Sequence, residues 1–192
     1  GTITQSILTV KRLFSGDRKE RTVSGQGFNL EGEIEEEGEP VTLKENHEPL
    51  KKLLAVAAYC NDATIERVTK EAEDAGSEEE EEKEAAREKP NVKVTGDPTE
   101  IALRVLGEKS GIRDLHPFDG VEVLDDIPFS SRKRFRAALL RYPEGRRELT
   151  VAGAPEKILE LSKAVYREEG PAELGEEERK AIARKNEEWA DD

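Results

Sequence analysis

The chain has 192 residues, enough for one domain with a substantial core. Its 31 lysines and arginines stand against 44 aspartates and glutamates, and the net charge of −13 repels phosphate backbones and anionic lipid surfaces, which argues against a nucleic-acid partner and against direct membrane contact. The single cysteine, Cys60, permits no intramolecular disulfide, and no apolar run approaches the roughly 20 residues of a membrane span, so a cytoplasmic location is expected.

Residues 6–14 are rich in β-branched side chains and stop at Ser15-Gly16-Asp17, which predicts a strand; the weakly alternating stretch 28–34 predicts a second. From His47 onward Leu50, Leu53, Leu54, Ala57 and Ala58 recur at helical spacing with Pro49 in the first turn, the pattern of a half-buried helix. Residues 71–90 are mostly Glu, Lys and Ala and read as an acidic insertion, either a solvated helix or a mobile loop. Asp97, Pro98 and Glu100 then supply N-cap, N1 and N3 of a helix that ends near Gly107 or Gly111. A strand is expected over 121–129, and a hairpin from 134–142 and 147–151, closed by Pro143-Glu144-Gly145. Pro155 opens a helix through Leu161, and a charged helix is expected over 176–189. The irregular order of elements and the hairpin favour an antiparallel α+β domain over a βαβ alternation.

No glycine-rich phosphate loop of a common type occurs, so the candidate chemistry lies in three short segments. Glu100, at the start of its helix, is suited to closing a capping box, and a carboxylate there also accepts from an exocyclic amine. In Phe129-Ser130-Ser131-Arg132-Lys133-Arg134-Phe135-Arg136 four cations lie between and beside two aromatics; strand alternation would send Arg132, Arg134 and Arg136 to one face, as a cationic stripe for a phosphate chain or as a solvated surface. Val151-Ala152-Gly153-Ala154-Pro155-Glu156 runs from strand to helix through small residues, which suits a plain turn or the close approach of a ligand. His47 and His116 lack a metal-ligand spacing and suit surface or capping roles, Ser130 and Ser131 lack a nearby His-Asp pair, and adjacent Asp125 and Asp126 would face opposite ways. Neither a catalytic residue nor a metal site is expected.

Taken in order, these segments resemble the nucleotide-binding domain of P-type cation-transporting ATPases of the calcium-pump and sodium-pump kind, over most of the chain. Gly1-Thr2-Ile3-Thr4-Gln5 resembles the end of the family's phosphorylation motif, Cys60-Asn61-Asp62-Ala63 its turn after a helix, and Gly96-Asp97-Pro98-Thr99-Glu100 with Ala102-Leu103 its Gly-Asp-Pro-Thr-Glu-x-Ala-Leu motif. Ile127-Pro128-Phe129-Ser130-Ser131 resembles the segment whose phenylalanine stacks on adenine, with Arg134 where the family carries a phosphate-side cation. Ser131 stands where some members have a phosphate-contacting arginine, and Gly153-Ala154-Pro155-Glu156 matches the Lys-Gly-Ala-Pro-Glu motif with Ala152 in place of its lysine.

The resemblance implies one domain over 1–192, with 1–10 a stub of the phosphorylation domain and an antiparallel sheet of about six to seven strands flanked by helices. It implies a nucleotide site of Glu100, Phe129, Ser131, Arg134, Ala152 and Gly153. ATP and ADP are the expected ligands, Mg²⁺ serves only in the intact parent, and the phosphorylation and actuator domains are the partners within an integral membrane pump. The phosphate-accepting aspartate would lie three residues before Gly1, so binding without turnover is expected. The alternative is a non-enzymatic acidic interaction domain with a degenerate nucleotide site.

Overall fold

The computed structural model describes residues 7–44, 46–67 and 92–190. The acidic stretch 71–90 and residues 1–5 lie outside them.

The α+β antiparallel class is borne out. β1 (Arg12–Phe14), β2 (Glu20–Val23), β3 (Ile34–Glu36) and β4 (Glu39–Pro40) form a four-stranded meander. α1 (Glu48–Tyr59) follows, then the ladder of β5 (Thr64–Arg67) with β6 (Val92–Thr95), and α2 (Pro98–Ser110) with a 3₁₀ turn at Ile112–Asp114. β7 (Glu122–Ile127), β8 (Phe135–Arg141) and β9 (Arg147–Gly153) form a three-stranded sheet with β8 central. α3 (Pro155–Leu161), the hairpin of β10 (Ala164–Arg167) with β11 (Gly170–Glu173), and α4 (Glu176–Ala190) complete the described chain.

α1 is the hub of the core. Leu50 and Leu54 are fully buried, and the cluster around them takes Leu13, Val23 and Ile34 from the meander together with Ala138 and Leu140 from β8. Each leucine so buried stabilises the fold by roughly 1.5–3 kcal/mol. Gly107 brings α2 close to α1, since a Cβ there would fall 2.8 Å from that of Ala58. The C-terminal end of α1 is closed by side chains: Asn61 Nδ2 donates to the Ala57 carbonyl, and Arg104 Nη1 donates to that of Ala58 at 2.9 Å.

Both hairpin strands and the four α-helices among the described residues match the sequence-based expectation, and α2 is capped as expected, with the Thr99 amide donating to Asp97 Oδ1 at 2.9 Å. Several expectations are corrected. The first strand covers only Arg12–Phe14, the three residues that pair with Glu20–Thr22 of β2. Residues 28–33 do not form a strand; Phe28 and Leu30 pack instead against Ala63, Ile101 and Val105. β7 stops at Ile127, before Pro128, which has no N–H for a ladder. His47 sits at the N-cap of α1 without a side-chain bond, and Glu168 Oε2 accepts from the Glu48 amide at 3.0 Å. β2, β4, β5, β6, β10 and β11 were not foreseen; most are short, and β4, β5 and β11 bury no side chain, so they lack the alternation that marks a strand.

Candidate functional site

Phe129, Ser131, Arg134, Ala152 and Gly153 lie at one end of the three-stranded sheet, and Glu100 lies on α2. Ile127 at the end of β7 pairs with Ala137, while Phe135 at the start of β8 pairs with Gly153 at the end of β9. Phe129 lies two residues beyond β7 and is 55 % exposed, an aromatic surface that local packing does not explain. From there the chain turns through 130–134, where the Arg134 amide donates to the Ser130 carbonyl at 2.7 Å and the Lys133 amide to Ser130 Oγ at 3.2 Å. Ser131 is exposed in this turn.

Arg134 closes the turn in the left-handed region, with φ of 62°, and does not belong to β8. The expected alternation of Arg132, Arg134 and Arg136 along one strand face is therefore overturned: the left-handed residue interrupts the pleat, and only Arg136 lies in β8. Arg134 turns outward and pairs with Glu156, and both side chains are half exposed or more. The carboxyl of Glu156 is held below its ordinary value by its own backbone N–H and by the Arg134 guanidinium. The Arg134 carbonyl accepts from the Ala154 amide at 2.9 Å, which ties the turn to the start of α3.

Gly153 pairs with Phe135 at the end of β9, and a Cβ there would stand 2.6 Å from Phe135 Cα. Ala152 takes the opposite face, partly buried against the core cluster, with Arg136 as its cross-strand partner.

Arg136, read from the sequence only as part of the cationic stripe and not as a member of the nucleotide site, lies in β8. It is 5 % exposed and reaches two carboxylates, donating from Nη1 to Glu100 Oε1 and from Nη2 to Asp62 Oδ1 at 2.5 Å. The Asp62 amide donates to Glu100 Oε2 at 3.3 Å, so Glu100 is engaged at both oxygens. The capping box expected for Glu100 is replaced by this network, because Arg136 and the Asp62 turn approach the start of α2 from the sheet side. Burial opposes the charge of Arg136, but hydrogen bonding to Asp62 and the fields of Glu100 and Asp62 outweigh it and raise its pKa above the ordinary arginine value. The signal for this residue was present as a cation directly across a hairpin from Ala152, but reading it required the register.

A shallow groove of 420 Å³ opens beside Asp62, lined by Tyr59, Asn61, Arg104, Arg113 and Val123 among others. None of the sequence candidates lines it. Among the described residues no group of His, Cys, Asp and Glu is arranged to hold a metal, and no helix is long and apolar enough to cross a membrane.

The order of these motifs on this α+β scaffold has a counterpart among known proteins. The family model described as P-type ATPase, cytoplasmic domain N, matches residues 49–192, and the chain belongs to that family. The calcium-transporting ATPase of Bacillus subtilis is 28 % identical over 181 residues, which are 94 % of this chain and 18 % of that protein. The cation-transporting ATPase pma1 of Synechocystis is 28 % identical over 174 residues, 88 % of this chain and 17 % of that protein. The chain thus spans under a fifth of the length of these curated relatives.

Proposed function

We propose that this domain binds ATP on behalf of a cation-transporting P-type ATPase and presents its γ-phosphate to an aspartate on another part of the pump. Adenine stacks on Phe129, Glu100 accepts from its exocyclic amine, and the backbone at Gly153 admits the nucleotide close to β9. Ser131 and Arg134 lie on the phosphate side. The observation that supports this reading is the exposed ring of Phe129, just beyond β7 at the end of the sheet where Phe135 pairs with Gly153.

Stacking of a base on one aromatic ring is worth roughly 1–3 kcal/mol, and a carboxylate acceptor adds selectivity for a base that carries a donor. Mg²⁺ would accompany the phosphates in the intact pump and neutralise the charge developing on the transferred group. The domain would work on the cytoplasmic side of the membrane, with the phosphorylation and actuator domains as its partners, and would deliver nucleotide by a hinge movement.

Titration with ATP, ADP and AMP, followed by backbone amide shifts, tests the reading. Shifts around Glu100, Phe129 and Gly153 are expected with all three, and Phe129→Ala should abolish them without unfolding the protein. An absence of shifts at millimolar nucleotide would sink the proposal and leave the acidic interaction domain as the better account.

A further inference from the structure

Arg136 is a charged side chain drawn almost wholly inside the protein, and one of its two carboxylate partners, Glu100, is a candidate site residue. Cross-strand partners in an antiparallel pair share a face, so its side chain lies beside Ala152 and reaches past it to Glu100 and Asp62. The network closes on itself, since Asp62 also donates its amide to Glu100. The side chains are graded from inside to out, with Arg136 6 % exposed, Glu100 19 % and Asp62 58 %. Glu100 is therefore the partner held at the boundary between core and solvent, oriented by donors on both oxygens and with lone pairs left for one more.

Burying a guanidinium is expensive, and an apolar residue of similar size commonly serves stability as well or better. Here Arg136 Nε is buried and has no hydrogen-bond partner, so the cation is not fully compensated. What the arrangement does achieve is a fixed carboxylate beside a fixed positive charge, on the face where β9 offers only a methyl group at Ala152.

Resting on the reading of Glu100 as the base contact, we propose that Arg136 is the positioning residue of the nucleobase pocket. It orients Glu100 as the acceptor for an exocyclic amine, and it supplies from β8 the positive charge that Ala152 does not supply from β9.

The test compares ATP with inosine triphosphate, which carries a carbonyl oxygen where ATP carries the amine. Both are titrated into the wild-type chain and into Arg136→Met, Arg136→Lys, Ala152→Lys and the double variant Arg136→Met/Ala152→Lys, with a thermal melt of each. The wild type should prefer ATP. Arg136→Met should lose roughly tenfold in ATP affinity, the scale of one charge-assisted hydrogen bond, and its preference for ATP should fall to within about twofold. The double variant should recover most of both, because a lysine at 152 reaches the same carboxylates from the neighbouring strand. Ala152→Lys alone should gain no more than about twofold, since Arg136 already holds those acceptors.

If Arg136→Met does not fold, Arg136→Lys and the double variant decide: loss of the ATP preference in Arg136→Lys with recovery in the double variant supports the proposal. A folded Arg136→Met with unchanged affinity and unchanged preference overturns it, as does a tenfold gain from Ala152→Lys alone. A wild-type chain that binds neither nucleotide overturns the nucleotide reading itself, a result distinct from either of these.

Discussion

Gly153 sits against the carbonyl oxygen of Arg134, so close that β9 can pass the start of β8 only because residue 153 has no side chain. The same short stretch receives the Ala154 amide on that carbonyl at 2.9 Å. Gly153→Ala would force backbone against backbone, a form of overpacking that costs about 1–3 kcal/mol. Urea denaturation should show a lower midpoint, and amide shifts in the free protein should move through 130–135.

Asp97 accepts from the Thr99 amide at 2.9 Å and so begins the helix that carries Glu100. Asp97→Ala should destabilise the domain by about 1 kcal/mol, and Asp97→Asn by much less, because asparagine keeps the acceptor oxygen. Thermal melts of the two variants side by side give the comparison.

Glu148 on β9 accepts from Lys52 Nζ at 2.8 Å and from Arg146 Nη1 at 2.6 Å. Burial pushes its carboxyl up, but Lys52 and Arg146 outweigh burial and hold it below the ordinary range; Asp17 is lowered in the same way, burial being opposed by Arg21 and Ser15. A carboxyl whose native pKa is depressed leaves the unfolded chain binding more protons, so stability rises with pH. The contribution is complete above the ordinary carboxyl range and is lost as pH falls through the lower native values. Urea midpoints measured at about pH 7 and about pH 3 should therefore differ, and Glu148→Gln should narrow the difference.

Cys60 is 1 % exposed, with Sγ 3.8 Å from the Thr150 carbonyl, and burial raises its thiol pKa. The buried thiol should resist alkylation in the native protein and react at the rate of a free thiol in denaturant. Mass spectrometry after a timed pulse of iodoacetamide measures this directly. Rapid native labelling would show that the turn following α1 opens readily.

The local chemistry was legible from the sequence. Leucine and alanine spacing placed α1, the Asp97-Pro98 pair placed the start of α2, and the apolar strands around Pro143-Glu144-Gly145 placed the β8–β9 hairpin, because capping, turn formation and amphipathic periodicity act over a few residues. The motif order carried the family in the same way.

Only the tertiary structure decided which charges meet. Arg136 lies 36 residues from Glu100 and 74 from Asp62, and its contact with them depends on strand register and on the approach of α2. The left-handed backbone at Arg134 separates its side chain from the strand face of Arg136, so one arginine turns to Glu156 at the surface while the other turns inward past Ala152. A sequence pattern that assumes an unbroken strand assigns both to one face, and the pairing of a buried cation is settled by which carboxylates the folded chain brings within its reach.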